Sequence, residues 1–475
     1  MEYQGKLRRQ NYLKLDAGRV GSRLDSKMKE YNIPKLFLIL SVIVGFTLSF
    51  AMPLFNESDG QYHFVDSTNI VGLTNDITYY GESKAIWTGT TNVKDAIQSH
   101  DYFNRYFVQT IHKTEIQNLP RLNKIPPILS YDYLGHLIPA VGVWLGYHIY
   151  PSMGVMIIVA RLFQSLVVIL FTFWILKRLK AGQLLIAVIS LSPTMINQMV
   201  SLSYDTTSWL FALGIIAYSI NSLVKSKISP RMIIEMIIIS LFSFYFLKTN
   251  LKLFLILFPL VIIGIIFSNR KKEKLTQWKI ATSRVLIIVA IISFLLVGVI
   301  VGEKITGKYG GLLSAIGRLT LNFTYFWGDG PTLSRNIIQV FAAPRGISNH
   351  VPMYATALWF VLVALVLISE KKFIKSRFIV GSSLVLFLLT IVAPYYGFFG
   401  ANYDSTLRGR VLGEIAEVQG RYFTPSAALL LFSLGYEKLN LKLNQGKLLF
   451  YFTIATVILT NFLLAFGTWY SIINT

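Results

Sequence analysis

A chain of 475 residues that is 53% hydrophobic and 14% aromatic, with only 14% charged, carries more apolar surface than one water-soluble core can hide, and its mean hydropathy is positive. The formal net charge of +22 does not point to nucleic acid, because the basic residues come in short clusters between apolar runs, the pattern of the positive-inside bias. With no cysteine, disulfides, thiolate metal sites and thiol catalysis are excluded, and the class that remains is an all-α polytopic membrane protein.

Residues 1–34 form a tail in which Lys6, Arg8, Arg9, Lys14, Arg19, Arg23, Lys27 and Lys29 outnumber the acids. The tail is expected to stay in the cytoplasm beside anionic lipid and to lead into a retained signal anchor. The membrane domain, 35–475, opens with the apolar run Leu36 to Met52. Directly after it, within Asn56 to Phe64, come Glu57, Asp59 and His63. Two carboxylates and an imidazole at the end of a span put ionisable chemistry at a half-desolvated surface where it can meet a lipid head group. The plain alternative is that the acids only solubilise a loop. The region 53–133 reads as a large extracytoplasmic loop with partly helical structure, including the periodic stretch Val93 to Ile111, and serves as a platform or lid.

Further apolar runs follow at Gly154 to Leu176, Gln183 to Leu202, Thr206 to Val224, Met232 to Leu247, Asn250 to Ser268, Val285 to Val301, Met353 to Ser369, Phe378 to Pro394, Tyr422 to Leu434 and Leu448 to Tyr470. With the first they make about eleven transmembrane helices. Tyr133 to Ile149 is interrupted by Gly, Pro and His, and if it crossed, every dense Lys/Arg cluster would face outward. It is therefore expected to be a re-entrant or interfacial helix. The N-terminus is then cytoplasmic, the C-terminus extracytoplasmic, and a second outer loop covers 302–352.

On that topology the outer face collects the unusual residues: the Glu57 to His63 stretch, Ser203-Tyr204-Asp205, Lys248-Thr249-Asn250 and Asn402 to Arg421. Arg161 lies inside an apolar run, where an unpaired guanidinium costs several kcal/mol, so it should hold a carboxylate, carbonyls or phosphate, a buried structural pair being the plain reading. Lys248 and Arg421 sit at span ends, where snorkelling to the interface is the plain reading. Together, cations converging with a carboxylate at one membrane face fit a site for a lipid-linked phosphate.

Several of these elements resemble a known pattern. Asp59-Gly60-Gln61-Tyr62-His63-Phe64 resembles the first-loop signature, Pro-Asp-Glu-x-x-His-Phe, of family 2142 of the domains of unknown function, a bacterial polytopic family. Ser192-Pro193, Ser203-Tyr204-Asp205 and Lys248-Thr249-Asn250-Leu251 resemble later elements, and Val418-Gln419-Gly420-Arg421-Tyr422-Phe423 is close to the most distinctive one. That family is similar in layout to the GT-C glycosyltransferases, integral membrane enzymes that use polyprenyl-phosphate sugars, and the resemblance implies a place in the bacterial plasma membrane. The resemblance implies Asp59 as general base, with Glu57, His63, Arg161, Asp205, Lys248, Gln419, Arg421 and Tyr422 around a polyprenyl-phosphate donor and a glycan acceptor. Ser58 and Gly60 depart from the signature, which removes the acid beside Asp59; Glu57, Asp59 and His63 could instead form a divalent-metal set. Intramembrane charge would equally suit a transporter or flippase of lipid-linked saccharides, and a non-catalytic envelope-assembly component is the third reading.

Overall fold

The computed structural model describes residues 32–55, 57, 59–73, 103–110, 126–270, 303–304, 306–307, 310–324, 333–342, 351–399, 415, 418–439 and 446–474. The basic tail, most of Val93 to Ile111, the span expected at Val285 to Val301 and much of the 302–352 loop lie outside the described residues. What is described is helical, with no β-strand among those residues.

The first helix, α1 (Ile33–Ala51), starts where Asn32 Oδ1 accepts the Lys35 N–H at 3.1 Å and Pro34 presets the first turn. Phe37, Leu40, Val44 and Leu48, spaced three and four apart, turn inward, while Ile39, Ile43 and Phe50 face out. Next come α2 (Gly60–Ile70), α3 (Tyr131–Gly135), α4 (Leu137–Ile149) and α5 (Met153–Arg178). At about 1.5 Å per residue the 13 residues of α4 rise only about 20 Å, short of a hydrocarbon core of about 30 Å. Helix α4 lies along α5 at very close range. A Cβ on Gly142 would sit 2.5 Å from the Ala160 Cα, and one on Gly146 would sit 2.6 Å from the Met156 Cα, so the Gly-x-x-x-Gly spacing is what allows the two backbones to approach. Gly142→Leu is expected to lower the unfolding temperature in detergent, by about 1–3 kcal/mol of stability. The control is Gly214→Leu, whose added Cβ meets nothing within 4 Å.

The run Gln183 to Leu202 folds as two helices, α6 (Gln183–Leu191) and α7 (Pro193–Met199), where the hydropathy suggested one span. Pro193 cannot donate, and Ser192 before it is held extended at φ −62° and ψ 146°. Distant groups satisfy the freed backbone: Asn461 donates to the Leu191 carbonyl at 3.1 Å, and the Thr194 N–H donates to the Phe341 carbonyl at 3.0 Å. At the other end of α6, Glu370 accepts from the Leu184 and Leu185 N–H groups at 2.9 and 3.1 Å, placing a carboxylate at the positive end of the helix.

The chain continues through α8 (Asp205–Lys225), α9 (Pro230–Phe246), a 3₁₀ segment Thr249–Ile256 and α10 (Leu257–Arg270). Then follow α11 (Gly311–Thr324), α12 (Leu333–Ile338), α13 (Met353–Ser369) and α14 (Arg377–Gly397). The run Tyr422 to Leu434, also expected as one span, is made of 3₁₀ turns at Gly420–Tyr422 and Pro425–Leu429 and the short α15 (Leu430–Leu434), before α16 (Gly446–Asn474) closes the chain. Among the described residues, six helices are long and apolar enough to cross a membrane: Ile33–Ala51, Met153–Arg178, Asp205–Lys225, Thr249–Ser268, Arg377–Gly397 and Gly446–Tyr470. The chain is a multi-pass membrane protein, and its broken apolar segments, 183–199 and 425–434, are almost wholly buried.

Candidate functional site

Asp59 stands at the head of α2 in the left-handed conformation, φ 58°, two residues after Glu57. Phe55 is also left-handed, φ 60°, and the Gly60 N–H closes the turn onto the Glu57 carbonyl at 3.1 Å. Only a glycine fits next, because a Cβ at Gly60 would come within 2.8 Å of the Glu57 side chain. The turn is tied down from α5. The fully buried Arg161 donates to the Met52 carbonyl at 2.8 Å, to the Pro53 carbonyl at 2.9 Å and to Glu57 Oε2 at 2.8 Å. Arg161 and Glu57, both counted among the substrate-binding candidates, thus form a buried ion pair that fixes the exit from α1.

Four charged groups from far-apart segments meet. Arg421 Nη2 lies 3.3 Å from Asp59 Oδ2, and Arg421 Nε lies 3.4 Å from Asp205 Oδ2. Lys248 Nζ donates to Asp205 Oδ1 at 2.9 Å. The Arg421 side chain is 4% exposed and that of Asp59 54%, so the pair runs from the interior to the surface. Lys248 lies 4.2 Å above the Tyr422 ring and 5.0 Å above the Tyr204 ring, which supports its charge from the other side. Burial works most strongly against the Lys248 ammonium, but Asp205 and Tyr422 together outweigh it, and its pKa ends above the usual lysine value. Two acids and two bases leave the cluster close to neutral. Beside it opens a small crevice lined by Gln198, Asp205, Lys248, Asn250, Arg421 and Tyr422.

Local geometry explains why Arg421 points there. Gly420 packs so tightly that a Cβ would be 2.3 Å from the Asn336 carbonyl oxygen, and the Tyr422 N–H turns back onto the Gln419 carbonyl at 3.1 Å. Gln419 itself is half-buried at the edge of this turn. Its neighbour Tyr422 is the ring that floors the crevice.

His63 is directed elsewhere, into a buried polar chain. Its Nδ1 is 2.8 Å from His136 Nε2, and His136 Nδ1 is 2.6 Å from the Asp132 carbonyl. A carbonyl can only accept, so His136 carries its proton on Nδ1 and His63 donates to His136 Nε2. Burial, then the neighbouring His136, Arg421 and Lys248, hold His63 well below the usual imidazole pKa. Tyr62 donates to Asp132 Oδ2, and burial together with Asp132 pushes Asp66 up to about 7. Glu57, Asp59 and His63 do not come together as metal ligands, each being turned to a different partner. Among the described residues the set whose ligand atoms approach one another is Asp66, Asp132 and His136. The sequence carried a trace of that set: Tyr62 and Asp66, and Asp132 and His136, are each four residues apart and so share a helix face.

The model of the family described as "Predicted membrane protein (DUF2142)" matches residues 42–430. No curated protein and no solved structure matches the chain. The matched span includes Asp59, Asp205, Lys248 and Arg421, and the chain belongs to this family of membrane proteins.

Proposed function

We propose that this family member is a membrane glycosyltransferase that moves a sugar from a polyprenyl-phosphate donor to a cell-surface glycan or lipid acceptor on the extracytoplasmic face. The observation that carries the reading is the bridge from half-exposed Asp59 through buried Arg421 to the Asp205–Lys248 pair at the edge of a crevice. An arriving phosphate competes with Asp59 for Arg421 and releases the carboxylate. Asp59 then takes the proton of an acceptor hydroxyl, the oxygen bonds to the anomeric carbon from the face opposite the phosphate, and the carbon–oxygen bond to the phosphate breaks, with inversion. Arg421 and Lys248, already held in place by Asp205, receive the charge that develops on the leaving phosphate. Aromatic rings of Tyr204 and Tyr422 keep Lys248 from wandering to solvent.

The test is transfer in proteoliposomes, with a polyprenyl-phosphate sugar supplied as donor and new glycosidic product measured. Lys248→Met is expected to lower the rate by about 10²–10³-fold at some cost in stability, Asp205 keeping only Arg421 at 3.4 Å, so the rate is compared per folded protein. The broken α6–α7 segment favours a second reading, since transporters place their sites at discontinuous helices. Movement of the donor lipid across the bilayer with no glycosidic product would establish that reading and overturn the first.

A further inference from the structure

We infer a divalent-cation site formed by Asp66, Asp132 and His136, a part of the molecule that the transfer reading does not use. Asp66 is fully buried on α2, and neither of its carboxylate oxygens accepts a hydrogen bond of good geometry, the nearby Tyr62 hydroxyl being directed to Asp132. Asp132 Oδ2 is taken by the Tyr62 hydroxyl, while its buried Oδ1 accepts no hydrogen bond and has His136 Nδ1 3.4 Å away. No lysine or arginine among the described ion pairs reaches either acid; those pairs involve Glu57, Asp59, Asp205 and Glu235. With Asp66 fully buried and Asp132 about a quarter exposed, two such neighbouring carboxylates favour a positive charge or a proton between them.

The third group argues for a metal ion. One ligand atom from each of Asp66, Asp132 and His136 lies within 4.8 Å of the other two. Ligands about 2.1 Å from one ion sit roughly 3 to 4.2 Å apart, so a side-chain adjustment of about 1 Å closes the set. Two carboxylates and one imidazole suit Mn²⁺ or Zn²⁺ better than the oxygen-only preference of Ca²⁺ or the thiolate preference of Cu⁺. The surrounding groups have the form of metal support: Tyr62 orients Asp132, and His63 sits on the far nitrogen of His136. Were an ion to take His136 Nδ1, the proton on that nitrogen would be released to solvent, His136 Nε2 would receive the proton of His63 Nδ1, and His63 would take up one proton from solvent on Nε2. Both imidazoles stay neutral, and His63 changes from donor to acceptor toward His136.

The full chain, purified in detergent and stripped with EDTA, is titrated with MnCl₂ and with ZnCl₂ by calorimetry, and its unfolding temperature is followed in parallel. One ion per chain is expected to bind with a rise in unfolding temperature. Asp66→Asn keeps the side-chain shape while removing an unpaired buried charge, so it folds; it should lose both binding and the thermal rise. Tyr62→Phe should weaken binding by about 10–100-fold, and Asp59→Asn should leave it unchanged. Neither ion binding to the wild type, or undiminished binding in Asp66→Asn, would overturn the site and leave the two acids sharing a proton. Binding lost in Asp59→Asn but kept in Asp66→Asn would place the ion in the crevice and overturn it as well. Because the readout is binding, a chain without transferase activity passes or fails this test on its own terms.

Discussion

Asp59→Asn is expected to reduce sugar transfer from a polyprenyl-phosphate donor by about 10²–10⁴-fold while insertion and unfolding temperature stay near wild type. Asparagine tolerates the left-handed backbone that position 59 requires, so the change removes the charge and leaves the turn intact. The contact it deletes, 3.3 Å to Arg421 from a half-exposed carboxylate, is worth no more than about 1 kcal/mol to stability. Transfer within about twofold of wild type would remove Asp59 from the chemistry. A matching Asp59→Glu variant is a poor rescue, because the longer side chain neither favours φ 58° nor keeps the distance to the acceptor.

Arg161→Met is expected to have the largest effect on stability, a loss of about 3–5 kcal/mol, because it leaves the Glu57 carboxylate buried and unpaired along with the Met52 and Pro53 carbonyls. Thermal unfolding in detergent and the yield of folded protein in membranes both read it. Removing the partner too, in Arg161→Met with Glu57→Leu, should recover most of the loss, since an apolar pair is an adequate replacement for a buried ion pair. If Arg161→Met unfolds at the wild-type temperature and instead fails to bind polyprenyl phosphate, the arginine is a ligand for substrate and the structural role is wrong.

Much of the membrane body could be read from hydropathy. An apolar run with a capping residue ahead of it, such as Asn32 before α1 or Ser152 before α5, says where a helix starts with little help from the rest of the fold. The runs 183–202 and 422–434 were harder, because in a multi-pass protein a buried, broken segment is as apolar as one facing lipid. Only Ser192-Pro193 and Pro425 mark the breaks, and whether a proline bends a helix or ends it depends on groups such as Asn461 that can satisfy the freed carbonyls. In the site, the acid after the first span and the cations at later span ends stood out by position. Their partners did not: nothing local links Arg161 to Glu57 or Arg421 to Asp59, since packing sets those pairings. Tyr62 with Asp66, and Asp132 with His136, showed a shared helix face but not that the two faces oppose each other.

The bridge between Asp59 and Arg421 joins positions 362 residues apart in the chain. Ribosomes add about 5–20 residues per second, so Asp59 is synthesised on the order of 20–70 s before the guanidinium it will face. Lys248 and Asp205, only 43 residues apart, can meet long before that. A nascent chain therefore reaches the bilayer with its acid in place and half of its cation pair missing. On the proposed transfer reading, products of stalled translation that end before Arg421 are expected to show no sugar transfer, which would tie the onset of function to near-completion of synthesis.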